Sequence, residues 1–166
     1  ARIVIEVGLA YGSSALAIGE ALCSTGGSQV SHIVIDPFQA TAYHNVGWDV
    51  LNAAGLAGRT SLFGEPSSIV LARLAQDGFT ADAAFVDGSH RFHEVFVDLY
   101  FLRKLIRPGG LIIGDNALWG GRVYVSEESD EKTRAVREFN RRMATDPRVL
   151  GIIVPTHDGV AVAVVK

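Results

Sequence analysis

The stretch Ile3-Val4-Ile5-Glu6-Val7-Gly8-Leu9-Ala10-Tyr11-Gly12-Ser13-Ser14 decides the fold. An apolar run meets a carboxylate at Glu6, and two glycines four apart then lead into helix-forming sequence. Continuous rather than alternating apolar character marks a strand covered on both faces, as in a parallel sheet flanked by helices. Glycine lets the backbone approach a ligand closely, and a helix start offers free N–H groups and a positive dipole end. On the residues alone, Gly8 and Gly12 are equally explained by tight packing between strand and helix.

The pattern recurs along the chain. His32-Ile33-Val34-Ile35-Asp36, Ala83-Ala84-Phe85-Val86-Asp87 and Leu111-Ile112-Ile113-Gly114-Asp115 are three more apolar runs ending in an acid. Between them, residues 13–23, 40–54, 67–76 and 90–106 have helical spacing, so the order reads as repeated βα units. Gly26-Gly27, Gly55, Gly78 and Pro108-Gly109-Gly110 mark the joints. Residues 120–132 read as a polar surface loop and 133–144 as a helix whose Arg134 and Arg141 belong to a solvated face. Two last strands, 149–154 and 160–165, flank Thr156-His157-Asp158-Gly159, a hairpin signal. The expectation is an α/β fold in one domain over 1–166.

Bulk properties narrow the function. The chain has 166 residues, 48% hydrophobic and 20% charged, with a net charge of −3. That is the balance of a folded globule, and it provides no basic field for a phosphate backbone, so small molecules rather than nucleic acid are the expected partners. The single cysteine, Cys23, is expected to pack in a helix core and suits a reducing cytoplasmic setting. No apolar run approaches a membrane span. The chain opens on Ala1-Arg2-Ile3 without a methionine, so an N-terminal segment forming part of the active-site wall is expected to be absent.

In an open parallel sheet, ligands bind outside the carboxyl ends of the strands, where the strand order reverses. Asp36 ends the second strand, where an acid accepts from ribose hydroxyls. A dinucleotide fingerprint needs G-x-G-x-x-G, but position 10 is alanine and position 13 is serine, which weakens a nicotinamide reading.

With the later segments added, the chain is identified with a family. Glu6-Val7-Gly8 with Gly12 resembles the first motif of class I S-adenosylmethionine-dependent methyltransferases, and Asp36 matches their ribose-binding acid. Val86-Asp87-Gly88-Ser89-His90, the run from Pro108 to Gly121, and Phe139-Asn140 through Asp146-Pro147-Arg148 resemble the cation-dependent O-methyltransferases of the catechol and caffeoyl-coenzyme A type. The terminal Asp158-Gly159 hairpin fits too, so the resemblance runs from Arg2 to Lys166. It implies a Rossmann-like three-layer sandwich with a mostly parallel seven-stranded sheet and an antiparallel C-terminal hairpin. It also implies S-adenosylmethionine as cofactor and methyl transfer to a hydroxyl of a phenol- or catechol-like small molecule. The family's metal ligands fall on Asp87, Asp115 and Asn116, an all-oxygen set suited to Mg²⁺, Ca²⁺ or Mn²⁺. On residue type alone, Asp115-Asn116 equally suits a turn.

The resemblance places further cofactor contacts at Gly8, Gly12 and Asp87. Glu6 is expected to face the cofactor's amino group, Ser14 its carboxylate, and Gly64-Glu65-Pro66-Ser67 its adenine. Tyr11, Phe38 and Trp119 would wall the pocket. His90 stands where the catechol and caffeoyl-coenzyme A enzymes place a lysine. Together with Asp87 it is the expected catalytic residue, as a general base near neutral pH. Asp-Gly-x-His also resembles sugar and small-molecule methyltransferases without that metal site, which leaves metal-independent O-methyl transfer open. A noncatalytic nucleoside-binding domain is the reading from another class. Oligomeric state stays open, with a homodimer among the options.

Overall fold

A computed structural model of the chain describes residues 1–166 except Ser28, His90, Glu128 and Ser129, and leaves the Phe92 side chain aside. In chain order the elements are β1 (Ile3–Val7), α1 (Ser13–Gly26), β2 (Ser31–Ile35), α2 (Val46–Ala53), β3 (Thr60–Phe63), α3 (Ser67–Gln76) and β4 (Ala81–Val86). Then come α4 (Phe92–Leu105), β5 (Ile106–Gly114), α5 (Glu131–Thr145), β6 (Val149–Val154) and β7 (Val160–Val165), with short 3₁₀ turns at Ala57–Arg59 and Trp119–Tyr124.

The strands form a seven-stranded sheet in the order β3-β2-β1-β4-β5-β7-β6. The first five in that order pair in parallel, and β7 lies antiparallel between β5 and β6. The chain winds outward from β1 through β2 to β3, then restarts at β4 beside β1. The strand order therefore reverses between β1 and β4, which is where a fold of this kind opens a crevice.

Alternation along each strand sets the layers. Ile5 and Val7 of β1 join Ile35, Val86 and Ile112 in a core closed by Leu71 of α3, Leu102 of α4 and Phe139 of α5. Val4 and Val34 point the other way, onto Leu22 and Ala15 of α1. Full burial of each such side chain contributes about 1.5–3 kcal/mol, so covering both faces outweighs the modest propensity of any one element. The edge strand β6 leaves Leu150 and Ile152 exposed. Among the described residues, no helix is long and apolar enough to cross a membrane.

Several expectations change. The helix expected from residue 40 begins at Val46, because His44 and Asn45 adopt φ of 50° and 61°, which ends right-handed winding. Thr60–Phe63, which none of the apolar runs marked, is the edge strand β3. Ile106 belongs to β5 rather than to the preceding helix, and the Pro108-Gly109-Gly110 break lies inside that strand. There the register with β4 shifts, Ala81 facing Ile106 and Ala83 facing Leu111. Within the polar stretch, Trp119–Tyr124 forms a 3₁₀ turn and α5 starts at Glu131, capped by Asp130 accepting from the Lys132 and Thr133 N–H groups. Cys23 is exposed, not packed in the core, because it lies on the solvent side of α1.

Candidate active site

Backbone hydrogen bonds extend the ladders past the strand ends and align the predicted acids on one rim. Gly8 N–H donates to Ile35 O at 2.9 Å, Asp36 N–H to Phe63 O at 3.0 Å, Asp87 N–H to Val7 O at 2.9 Å and Asp115 N–H to Val86 O at 3.0 Å. The rungs thus bring the ends of β3, β2, β1, β4 and β5 to one edge. Asp36 and Asp87, just past β2 and β4, thus flank the end of β1 on that edge.

The loop after β1 crosses that crevice. Gly8 has φ +98°, and a Cβ there would stand 2.2 Å from the Asp87 carbonyl oxygen. No other residue fits this crossing without displacing the end of β4. Gly12, φ +88°, rests against Gly47 of α2, where a Cβ would come within 3.1 Å of the Gly47 carbonyl. Both glycines are thus closely packed, Gly8 against the end of β4 and Gly12 against α2, and not between a strand and its own following helix.

Asp36 organises this loop. Its Oδ2 accepts from Leu9 N–H at 3.0 Å, Ala10 N–H at 2.9 Å and Gln39 Nε2 at 3.0 Å, and its Oδ1 accepts from Phe38 N–H at 2.8 Å. A carboxylate offers about four lone-pair sites, so Oδ1 retains capacity for one further donor. Gln39, which no sequence pattern singled out, also donates to Ala10 O at 2.8 Å and so ties the loop down from both sides.

Glu6 differs from its expected role. It is 0% exposed, so its carboxylate presents no surface to a cofactor amino group. One oxygen accepts from the Ser14 hydroxyl, and the other stands 2.8 Å from Nε2 of His32, itself 1% exposed. His32 had no recognisable motif. Its proximity to Glu6 arises only when β1 and β2 pair.

On the other side of the reversal, Asp87 follows the Val86↔Gly114 pair that joins β4 to β5, and Asp115 follows Gly114. Partial burial pushes the Asp87 carboxyl above its ordinary pKa, and the nearby Asp115 and Glu6 carboxylates push it in the same direction. Asn116, at φ +56°, donates its Nδ2–H to Asp158 at 3.3 Å, so its carbonyl oxygen is the atom left for a ligand. Two repelling carboxylates with an amide oxygen beside them fit a hard cation. Among the described residues, no group of three or more His, Cys, Asp or Glu forms a metal cluster. A pocket opens next to Asp115, lined also by Gly88, Ser89, Glu94, Asp98 and Phe139.

The remaining candidates separate. Glu65 pairs with Arg73 at 2.6 Å. Ser67 hydrogen-bonds Asp98 of α4, a carboxyl that burial pushes up to about 7, with Glu94 adding to the rise and Ser67 opposing it. Gly64 borders open space. Tyr11 and Phe38 are exposed, and Tyr11 packs edge-on against Tyr43 with ring centroids 5.2 Å apart. Arg134 and Arg141 lie on a solvated face, Arg141 bonded to Glu138 at 2.6 Å. The expected base, His90, lies outside the described residues.

The profile of the O-methyltransferase family matches residues 1–166. The chain is similar to flavonoid 3',5'-methyltransferase of Vitis vinifera, 34% identical over 97% of the chain and 69% of that enzyme. It is also similar to tricin synthase 2 of Oryza sativa subsp. japonica, 31% identical over 96% of the chain, of which it spans 55%. The O-methyltransferase of Bacillus cereus, solved in complex with SAH, shares the fold with a TM-score of 0.86 at 23% identity, over 99% of this chain and 74% of that one. By sequence and fold the chain belongs to the O-methyltransferase family.

Proposed function

We propose that this chain methylates a hydroxyl oxygen of a phenol- or catechol-like small molecule, assisted by a divalent cation at Asp87, Asp115 and Asn116. The observation behind this reading is that the Asp115 carboxylate, just past β5, lies close enough to Asp87, just past β4, to raise the cost of the Asp87 charge. A cation bound there would offset that repulsion and lower the pKa of an acceptor hydroxyl.

The methyl group is already activated by the positive sulfur of its donor, so the protein's task is alignment. Asp36 Oδ1 accepts one ribose hydroxyl. The Gly8–Gly12 loop lets the donor lie against the ends of β1 and β4, and Tyr11 and Phe38 line the rim. His90 removes the acceptor proton. One sheet carries these residues, so 1–166 acts as a single domain. The net charge of −3 favours a small acceptor over nucleic acid, and the free thiol of Cys23 suits the cytoplasm.

The test is methyl transfer from S-adenosylmethionine to a panel of catechols and other phenols, with Mg²⁺ and with a chelator, in wild-type protein and in Asp115→Ala. Activity lost in both the chelator and the variant is the expected result. Full activity of Asp115→Ala in the chelator rules out the metal role, and cofactor binding without turnover on any acceptor favours a noncatalytic domain.

A further inference from the structure

The four donors to Asp36 are shared unevenly between its two oxygens. Oδ2 accepts from Leu9 N–H at 3.0 Å, Ala10 N–H at 2.9 Å and Gln39 Nε2 at 3.0 Å, whereas Oδ1 accepts from Phe38 N–H at 2.8 Å. Each carboxylate oxygen offers about two lone-pair sites. Oδ2 is therefore full, and Oδ1 keeps one site.

Gln39 supplies the third donor to Oδ2. Its side chain is 3% exposed, and its amide nitrogen also donates to Ala10 O at 2.8 Å. A carboxylate and a backbone carbonyl both accept, so the amide nitrogen rather than its oxygen must face them. The amide oxygen is left buried without a partner. An unsatisfied buried acceptor is unfavourable, and the Leu9 and Ala10 N–H groups already occupy Oδ2 without Gln39. An aliphatic side chain of the same length would fill the space at less cost. What the amide adds is a brace between Asp36 and Ala10, whose φ of 44° is uncommon for a residue with a Cβ.

Two adjacent ribose hydroxyls can donate one to each oxygen of an open carboxylate, but Asp36 has no second site to offer. We propose that Asp36 reads a single ribose hydroxyl of the S-adenosyl cofactor, and that Gln39 is the positioning residue behind this selectivity. By filling Oδ2 and bracing it to Ala10, Gln39 leaves Oδ1 as the one acceptor and fixes its direction. This rests on the proposed cofactor site at the ends of β1 and β2. Gln39 itself is enclosed and acts through Asp36.

The experiment measures affinities for S-adenosylhomocysteine and for its 2′-deoxy and 3′-deoxy analogues by calorimetry, with melting temperature recorded for each variant. In wild-type protein one analogue is expected to bind about tenfold more weakly than S-adenosylhomocysteine, the scale of one hydrogen bond to a charged group, and the other within about twofold of it. Gln39→Met keeps the length and removes both donations. It should weaken S-adenosylhomocysteine toward the affinity of the poorer analogue and leave that analogue unchanged, whereas a merely structural role would weaken all three alike.

Wild-type protein in which both analogues bind equally weakly, or both bind as well as S-adenosylhomocysteine, overturns the inference and leaves the cofactor site standing. Wild-type protein that binds none of the three overturns the inference and the proposed function together. A folded Gln39→Met that keeps the wild-type affinities, or weakens all three alike, overturns the role of Gln39. If Gln39→Met does not fold, Gln39→Asn decides, because its shorter amide cannot span both acceptors: the same selective loss is expected, and wild-type affinities overturn the inference.

Discussion

Asp158, in the turn between β6 and β7, accepts the side-chain N–H of Asn116 at the end of β5, 3.3 Å away. The contact spans 42 positions of sequence and orients the amide of a proposed cation ligand. The same carboxylate accepts Gly120 N–H at 2.5 Å, so it also anchors the turn that follows Asn116.

Outer partners of ligating groups typically change metal affinity by about 10–100-fold. Asp158→Ala is accordingly expected to raise the Mg²⁺ concentration needed for half-maximal methyl transfer by at least about tenfold, with affinity for S-adenosylhomocysteine unchanged. A Mg²⁺ titration of activity checks this. An unaltered Mg²⁺ requirement would separate Asn116 from the cation.

Gly8 and Gly64 were both expected near the cofactor, but their surroundings predict opposite responses to a methyl group. At Gly8 the added Cβ meets the Asp87 carbonyl oxygen at 2.2 Å in a left-handed conformation, whereas Gly64 borders open space. Backbone strain alone costs about 1–3 kcal/mol, so Gly8→Ala should melt roughly 5 °C or more below wild type and lose cofactor binding. Gly64→Ala should melt within about 2 °C of wild type. Thermal unfolding of the two variants compares them, and equal melting temperatures would contradict the crossing of β4 described above.

Asp98 makes stability pH-dependent with a defined sign. Its folded-state pKa of about 7 lies above the ordinary 3.8, so between those values the folded protein binds more protons than the unfolded one. Stability from this group is present at low pH and is lost as pH rises toward 7. Asp98→Asn removes the titration. Measured by urea unfolding, the variant should gain roughly 3 kcal/mol on wild type between pH 5 and pH 8. A constant difference between the two curves would contradict a buried, neutral Asp98.

Some of this architecture was legible because local and global signals coincide. Apolar β-rich runs ending in Asp36, Asp87 and Asp115 locate both the strands and the rim of the crevice, since a doubly covered parallel strand needs an unbroken apolar run and its end is where a polar residue can face a ligand. Thr60–Phe63 escaped notice because a four-residue edge strand with a polar start carries little pattern. Residues 40–45 matched helical spacing, but the left-handed backbone of His44 and Asn45 is a tertiary outcome. The same holds for His32, Gln39 and Asp158. Each looks ordinary in its own segment and acquires a role through a partner on another element, Glu6, Asp36 and Asn116 respectively. Glu6 was noticed for its place at a strand end, but its enclosure follows from His32 and Ser14.

Calorimetric titration of wild-type protein and Asp36→Ala with S-adenosylhomocysteine, with and without Mg²⁺ and a catechol, reads the crevice most directly. The predicted result is one site per chain in the wild type, tightened when cation and catechol are both present, and weakened at least about tenfold in the variant, the scale of a hydrogen bond to a charged group. An Asp36→Ala protein that melts cooperatively and binds as tightly as wild type, or a wild-type chain that takes up no S-adenosylhomocysteine, would contradict it.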